Sequence, residues 1–173
     1  RDKSSVSMKL ANDAESAIST LADKAEFAYD EIRQGIPKQT ASSMENIGGY
    51  IRQELDDLGG DISQLSPLEK RLLSMSENGA TYHALDKIRK EVGATIGKKS
   101  QKFQSEDVGA LKQIYRNLTN DQEIVANNLG MGESWEAAKD LVSKRKALED
   151  YTSQIEKEWR AYGTGMPLDM YIK

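Results

Sequence analysis

The side chains that could do chemistry are few and widely spaced. One histidine, His83, stands in 173 residues that include no cysteine. A zinc site built around it would need carboxylates in place of most of the usual imidazole and thiolate ligands. The lack of cysteine also excludes disulfides and thiolate nucleophiles, and it fits a cytosolic or particle-borne protein. Neighbouring carboxylates occur at Asp56-Asp57 and at Glu106-Asp107. Such pairs can serve in general acid–base work. Here the first falls on a predicted solvated helix face. The second falls at a predicted helix N-terminus, where negative charge is favourable on its own account. No serine sits in a nucleophile elbow. The glycine-rich spots at 48–49, 59–60, 130–132 and 163–165 lack the lysine of a phosphate-binding loop and follow no strand. The residues therefore name no catalytic, cofactor-binding or metal-ligating site, and His83 is expected to be structural or superficial, near a helix start.

Residues 87–116 carry a local basic excess, with Lys98, Lys99 and Lys102 in one loop. Phosphate contact is the sharper reading of that patch. A solvated loop with lysines near a helix C-terminus is the reading the balance favours. The formal net charge of -4 offers no large basic surplus for nucleic acid. The charge is unevenly divided: residues 1–65 hold 7 basic and 12 acidic side chains, and the rest hold 17 and 16. With Ser66-Pro67, this shift predicts a boundary between an N-terminal segment, 1–65, and a bundle core, 66–163, followed by a tail, 164–173. Asn117-Leu118-Thr119 matches a glycosylation sequon but lies in a predicted helix with no secretion signal ahead of it, so it is read as chance. No apolar run approaches the roughly 20 residues of a membrane span. The chain begins at Arg1 and stops at Lys173. That suggests a piece of a longer polypeptide trimmed by a trypsin-like protease, which an intact mass of the native protein would decide.

The elements that must position these side chains are helical. Val6, Leu10, Ala14, Ala17, Leu21, Ala25, Ala28 and Ile32 recur with an eleven-residue period and predict one helix over 4–34, closed by Gly35 and Pro37. Its alanine-rich seam would let a partner helix approach closely. MENIGGYIRQE at 44–54 is echoed by LDDLGGDISQL at 55–65, with a break expected at Gly59-Gly60. Ser66, Pro67 and Glu69 form a start signal with a capping box. Further helices are expected from Thr81 to Ile96 and from Ser105 onwards. The second has Val108, Leu111, Tyr115, Leu118, Val125 and Leu129 on its inner face and a possible split at Thr119, where Gln122 completes a capping-box pattern. The last runs from Ser134, as cap, to Tyr162. Leu141, Leu148, Ile155 and Tyr162 recur there every seven residues, with Ala138 and Trp159 on the same face. Gly163, Gly165 and Pro167 stop it, and the apolar tail 166–173 either docks on the bundle or begins another element. Tyr115 and Tyr162 fit core positions, and the other tyrosines are expected at interfaces or exposed. The fold class is all-α: an antiparallel helical bundle with long helices and an N-terminal coiled-coil-like arm. Leu85, Ile88, Leu111, Tyr115, Leu118, Leu141, Leu148 and Trp159 are its expected core.

Three segments carry a resemblance: ALDKIRKEVGATIGK at 84–98, VGALKQIYRNLTNDQE at 108–123 and GMGESWEAAKDLVSKRKALE at 130–149. In order they show Leu-x-x-x-Arg before a glycine, Leu-x-x-x-Tyr-x-x-Leu-Thr-x-Asp, and Gly-x-x-x-Trp-x-x-Ala leading into a basic helix. This resembles helical modules in large tailed-bacteriophage virion proteins of the internal, DNA-ejection or tail-associated type. It covers about residues 66–160 and leaves out the first third. The resemblance implies a non-catalytic structural module, without cofactor or small-molecule substrate. Its partners would be proteins, either copies of itself or other virion components, and it would reside in the virion or host cytoplasm. Two other classes stand beside it: a cellular coiled-coil scaffold or adaptor, and a nucleic-acid contact module using the 87–116 patch.

Overall fold

The protein was analysed as a computed structural model that describes the backbone of residues 3–161 and the side chains of residues 8–158, 160 and 161. The predicted Tyr162 core position, the glycine and proline stop and the tail at 164–173 lie outside the described residues, as does the Trp159 side chain. The chain is all-α. Its helices are α1 (Lys3–Gln34), α2 (Glu45–Asp57), α3 (Pro67–Asn78), α4 (Tyr82–Ile96), α5 (Val108–Asn128) and α6 (Gly132–Ala161), with one 3-10 turn at Ile62–Gln64. Among the described residues the extended pairing is limited to a bridge between Ala41 and Thr81.

Local signals account for most helix ends. Ser66 caps α3 by accepting from Glu69 N–H at 3.2 Å, and the Glu69 carboxylate accepts from Ser66 N–H at 2.9 Å. Thr81 caps α4 through Ala84 N–H. The cap of α5 is Asp107, which accepts from Ala110 N–H at 3.0 Å, and not Ser105. A carboxylate two residues later both accepts that bond and meets the positive end of the helix. At the other ends, α2, α4 and α5 each close with a backbone bond reaching back five residues: Gly60 to Leu55, Lys99 to Ala94 and Met131 to Ala126, all at 2.8 Å. That closure puts the residue before the donor in the left-handed region. Gly59 and Gly130 fill this position in two cases, and in the third it is Lys98, at φ 59°. The final helix then starts at Gly132, two residues ahead of the predicted Ser134 cap.

The two Gly-Gly pairs have different fates. α2 runs through Gly48-Gly49 and ends before Gly59-Gly60, so the expected break is where it was placed. Gly48 is buried against α3, and a Cβ there would lie 3.2 Å from Ser76 Cβ. Each interior glycine costs about 1 kcal/mol against alanine, and close helix approach offsets that at Gly48. Gly59 and Gly60 both have φ near +80° and terminate the helix. The predicted split of α5 at Thr119 does not occur. Thr119 Oγ donates back to Tyr115 O at 2.7 Å, and Gln122 is engaged with Asp86, so neither is available to cap a new helix.

The chain forms two compact units, residues 31–132 and residues 1–30 together with 133–173. The core of the first is a cluster that includes Ile47, Ile51, Leu72, Leu85, Ile88, Leu111, Ile114 and Leu118. Residues on both sides of Ser66 share it, so the charge shift there marks a helix start and not a division of the structure. Tyr82 is fully buried, although the sequence placed it at an interface or surface, and Tyr115 is only partly buried. Val108 and Leu129, expected inside, are 55% and 47% exposed because they lie at the two ends of α5, beyond the reach of neighbouring helices.

The second unit contains most of α1 and nearly all of α6. Tyr29, near the end of α1, packs edge-on against Trp135, at the start of α6, with ring centroids 5.0 Å apart. That contact joins the end of α1 to the start of α6. The covered stripe of α1 is Leu10, Ala14, Ile18, Leu21, Ala25, Tyr29 and Ile32, while Ala17 is exposed. The eleven-residue period survives, but Ile18 and Tyr29 occupy the row assigned to Ala17 and Ala28. The seam is bulkier than an alanine zipper, because the row one residue over removes more apolar area from water. In α6, Trp135, Ala138 and Ile155 are buried, whereas Leu141 and Leu148 are half-buried.

Candidate functional site

The most concentrated polar chemistry lies inside the 31–132 unit. Asp86, Arg89, Asp121 and Gln122 are each at most 3% exposed. None was singled out as a site from the sequence, although a signal was present. Arg89 is in phase with Leu85, Ile88 and Val92, and Asp121 and Gln122 are in phase with Leu111, Ile114, Leu118 and Val125. A polar side chain on an apolar stripe must be paired once buried.

Asp121 projects from α5 to the N-terminus of α2. Its Oδ1 accepts from Asn46 N–H at 2.9 Å, Asn46 Nδ2 at 3.0 Å and Ser43 Oγ at 3.1 Å, and its Oδ2 accepts from Ile47 N–H at 2.9 Å. The residue preceding α2, Met44, supplies no side-chain cap. Asp121 thus does at a distance of 75 residues what a local serine or aspartate does elsewhere. The positive end of α2 compensates its charge.

Asp86, on α4, gathers a second network. Its Oδ1 accepts from Arg89 Nη2 at 2.8 Å and from Gln122 Nε2 at 3.0 Å, and Arg33 Nε stands 3.5 Å from Oδ2. Arg89 also donates through Nη1 to Tyr115 Oη at 3.3 Å and lies 5.8 Å from the centre of that ring. With Asp86 and Asp121 almost fully buried, both carboxylates act on protein groups and cannot meet a solute.

The residues singled out from the sequence are not brought together. His83 is half-buried at the start of α4, where Nε2 lies 2.7 Å from Ile36 O. Asp56 and Asp57 are exposed on α2, and Asp107 is spent on its cap. The basic patch is partly neutralised, with Arg89 held by Asp86 and Lys102 Nζ 2.8 Å from Glu91. Lys87, Lys98, Lys99, Lys112 and Arg116 remain exposed. Among the described residues no group of three or more histidine, aspartate or glutamate side chains could hold a metal ion. None of the described helices is long and apolar enough to cross a membrane.

Titration is perturbed mainly around Tyr50. Burial, then Glu54, Glu69, Asp107 and Glu106, push its hydroxyl up to about 12. Glu54 is itself raised, first by burial and then by Glu69 and Asp57. Asp61 is lowered by the Ser63 hydroxyl and N–H that it accepts from. The two raised values follow first from burial and then from the carboxylates near the ends of α2, α3 and α5.

Open clefts occur among the described residues. One, of about 280 Å³, lies between residues 40–43 and Ile124, Val125, Asn128 and Leu129 of α5. The other, of about 290 Å³, lies beside the loop after α4 and is lined by Lys98, Gln101, Gln104 and Glu106 among others. No family model, curated protein or solved structure matches this chain.

Proposed function

We propose that this chain is a non-catalytic helical interaction module of a tailed-phage virion protein. The observation that carries the non-catalytic part is the use made of the buried charge. Asp121 is saturated by four donors from the start of α2, and Asp86 Oδ1 accepts from Arg89 and Gln122, so the best-formed polar chemistry locks helices together. Catalytic groups need to reach a substrate in a cleft, and these do not. The length of α1 and α6, 32 and 30 residues, supports an interaction role, because extended helices offer side-chain surface out of proportion to their volume. The virion setting is supported by the resemblance of residues 84–149. Its motif residues Arg89, Tyr115 and Asp121 are among those that join the helices.

The test is to purify virus particles from the source culture by density gradient and search them for peptides of this chain by mass spectrometry. Recovery in stoichiometric amounts with known structural proteins is the expected result. Recovery only from the soluble cell fraction would overturn the virion assignment.

A further inference from the structure

Helix α3 ends on a dipeptide with chemistry of its own. Asn78 is its last residue and Gly79 follows. Among the asparagines of the chain, only Asn78 precedes glycine. An asparagine amide can react with the backbone nitrogen of the next residue, and a side chain on that residue hinders the approach. Gly79 has none, and a Cβ placed there would meet nothing within 4 Å, so the space is open. Both residues are exposed, which admits the water and base that the reaction needs. The closed helix opposes it with two bonds. Gly79 N–H donates to Met75 O at 2.8 Å, and Asn78 Nδ2 donates to Ser74 Oγ at 3.2 Å. The first occupies the nucleophile and the second holds the leaving amide. Both lie in the final turn of α3, beyond Leu73, its last buried residue. An exposed helix end opens at little cost.

We infer that Asn78 is a site of spontaneous modification, converted to aspartate and isoaspartate when the last turn of α3 opens. The Gly79 nitrogen gives its proton to solvent base and attacks Asn78 Cγ. The new N–Cγ bond closes a cyclic imide. The Cγ–Nδ2 bond breaks, and the amide nitrogen takes up a proton and leaves as ammonia. Water then adds to either imide carbonyl and breaks its bond to nitrogen. Opening at the side-chain carbonyl gives aspartate. Opening at the backbone carbonyl gives isoaspartate, in which the chain runs through the side chain and is longer by a methylene. Both products place a carboxylate at the negative end of α3, where the helix dipole disfavours it. The isoaspartate also alters a link with little slack. Gly79 alone stands between α3 and Ala80, whose carbonyl accepts from Ser42 N–H at 2.9 Å.

The experiment incubates the full chain at neutral and mildly alkaline pH, beside a peptide of residues 73–83, LSMSENGATYH, and the chain unfolded in guanidinium chloride. Mass spectrometry of digests follows amide-to-acid conversion at each asparagine. An endoproteinase that cuts before aspartate but not before isoaspartate separates the products. Expected is conversion at Asn78 ahead of every other asparagine, to a mixture of both products, and faster as pH rises. The folded chain should react about tenfold more slowly than the peptide, because only the opened turn reacts. Unfolding should remove that difference. Asn78→Gln, checked for folding by circular dichroism, should show no conversion at this position over the same period. A folded chain without conversion at Asn78 while the peptide reacts to completion would overturn the inference. So would a folded chain that reacts as fast as the peptide, or one in which another asparagine converts first.

Discussion

The two compact units solve the same problem with different means. In residues 31–132 four helices enclose a shared core, and the polar side chains that enter it are paired across helices. In the other unit, two helices of 32 and 30 residues make up the described chain, and Leu141 and Leu148 of α6 stay half-buried. A helix in a bundle is covered from two or more directions, whereas one of a pair is covered from one. The same leucine therefore removes more area from water in the first unit than in the second. The comparison teaches that apolar periodicity reports which face of a helix turns inward but not how deeply it is buried.

The sharpest way to break the comparison is at Asp121. Asp121→Ala strands the N–H groups of Asn46 and Ile47 and the Ser43 hydroxyl, and should cost about 3–5 kcal/mol in urea unfolding. A loss below about 1 kcal/mol would mean that α2 does not depend on this cap. Leucine truncation comes next. Leu118→Ala, at a site with no exposure, should cost about 2–5 kcal/mol. Leu148→Ala, for which full burial would predict the same range, should cost only about 1–2 kcal/mol because part of the side chain already meets water. Equal losses at the two sites would erase the distinction between the units. Lys98→Gly should stabilise by about 1 kcal/mol, since glycine adopts the left-handed conformation without penalty. An unchanged melting temperature would show that the lysine stem recovers the difference by packing.

The smallest effect concerns pH. The folded state raises the Glu54 pKa, so it favours the protonated form. Its stabilising influence is present below the unfolded pKa and is lost as pH rises through the raised folded value. Glu54→Gln should therefore match the parent near pH 3 and exceed it at pH 7, by less than about 0.5 kcal/mol because solvent screens a side chain only partly buried. A parent that is the more stable at pH 7 would reverse the sign and point to an attractive partner for the carboxylate.

Much of the fold was legible because its signals are local. Ser66, Pro67 and Glu69 specify a helix start within four residues, and Gly59-Gly60 and Gly130 specify stops through backbone freedom at those positions. The signals that misled were also local. Ser105, the Thr119–Gln122 pattern and Ser134 are sound caps in isolation, and each was overruled by a neighbour with better geometry or by a distant partner. The candidate polar sites were harder to see. Asp86 looks like an ordinary surface carboxylate until α4 is laid against α5, and the place of Asp121 on an apolar stripe does not reveal that its partner is the start of α2.

The order of residues alone determined that this protein is built of helices, roughly where most begin and end, and that α1 repeats every eleven residues. Those properties depend on interactions within a turn or two of chain. Tertiary structure decided which row of α1 turns inward, why Gly48 is tolerated where Gly59 ends a helix, and that the start of α2 is capped from α5. Each of these depends on a contact between residues far apart in sequence, and such contacts exist only once the helices have packed.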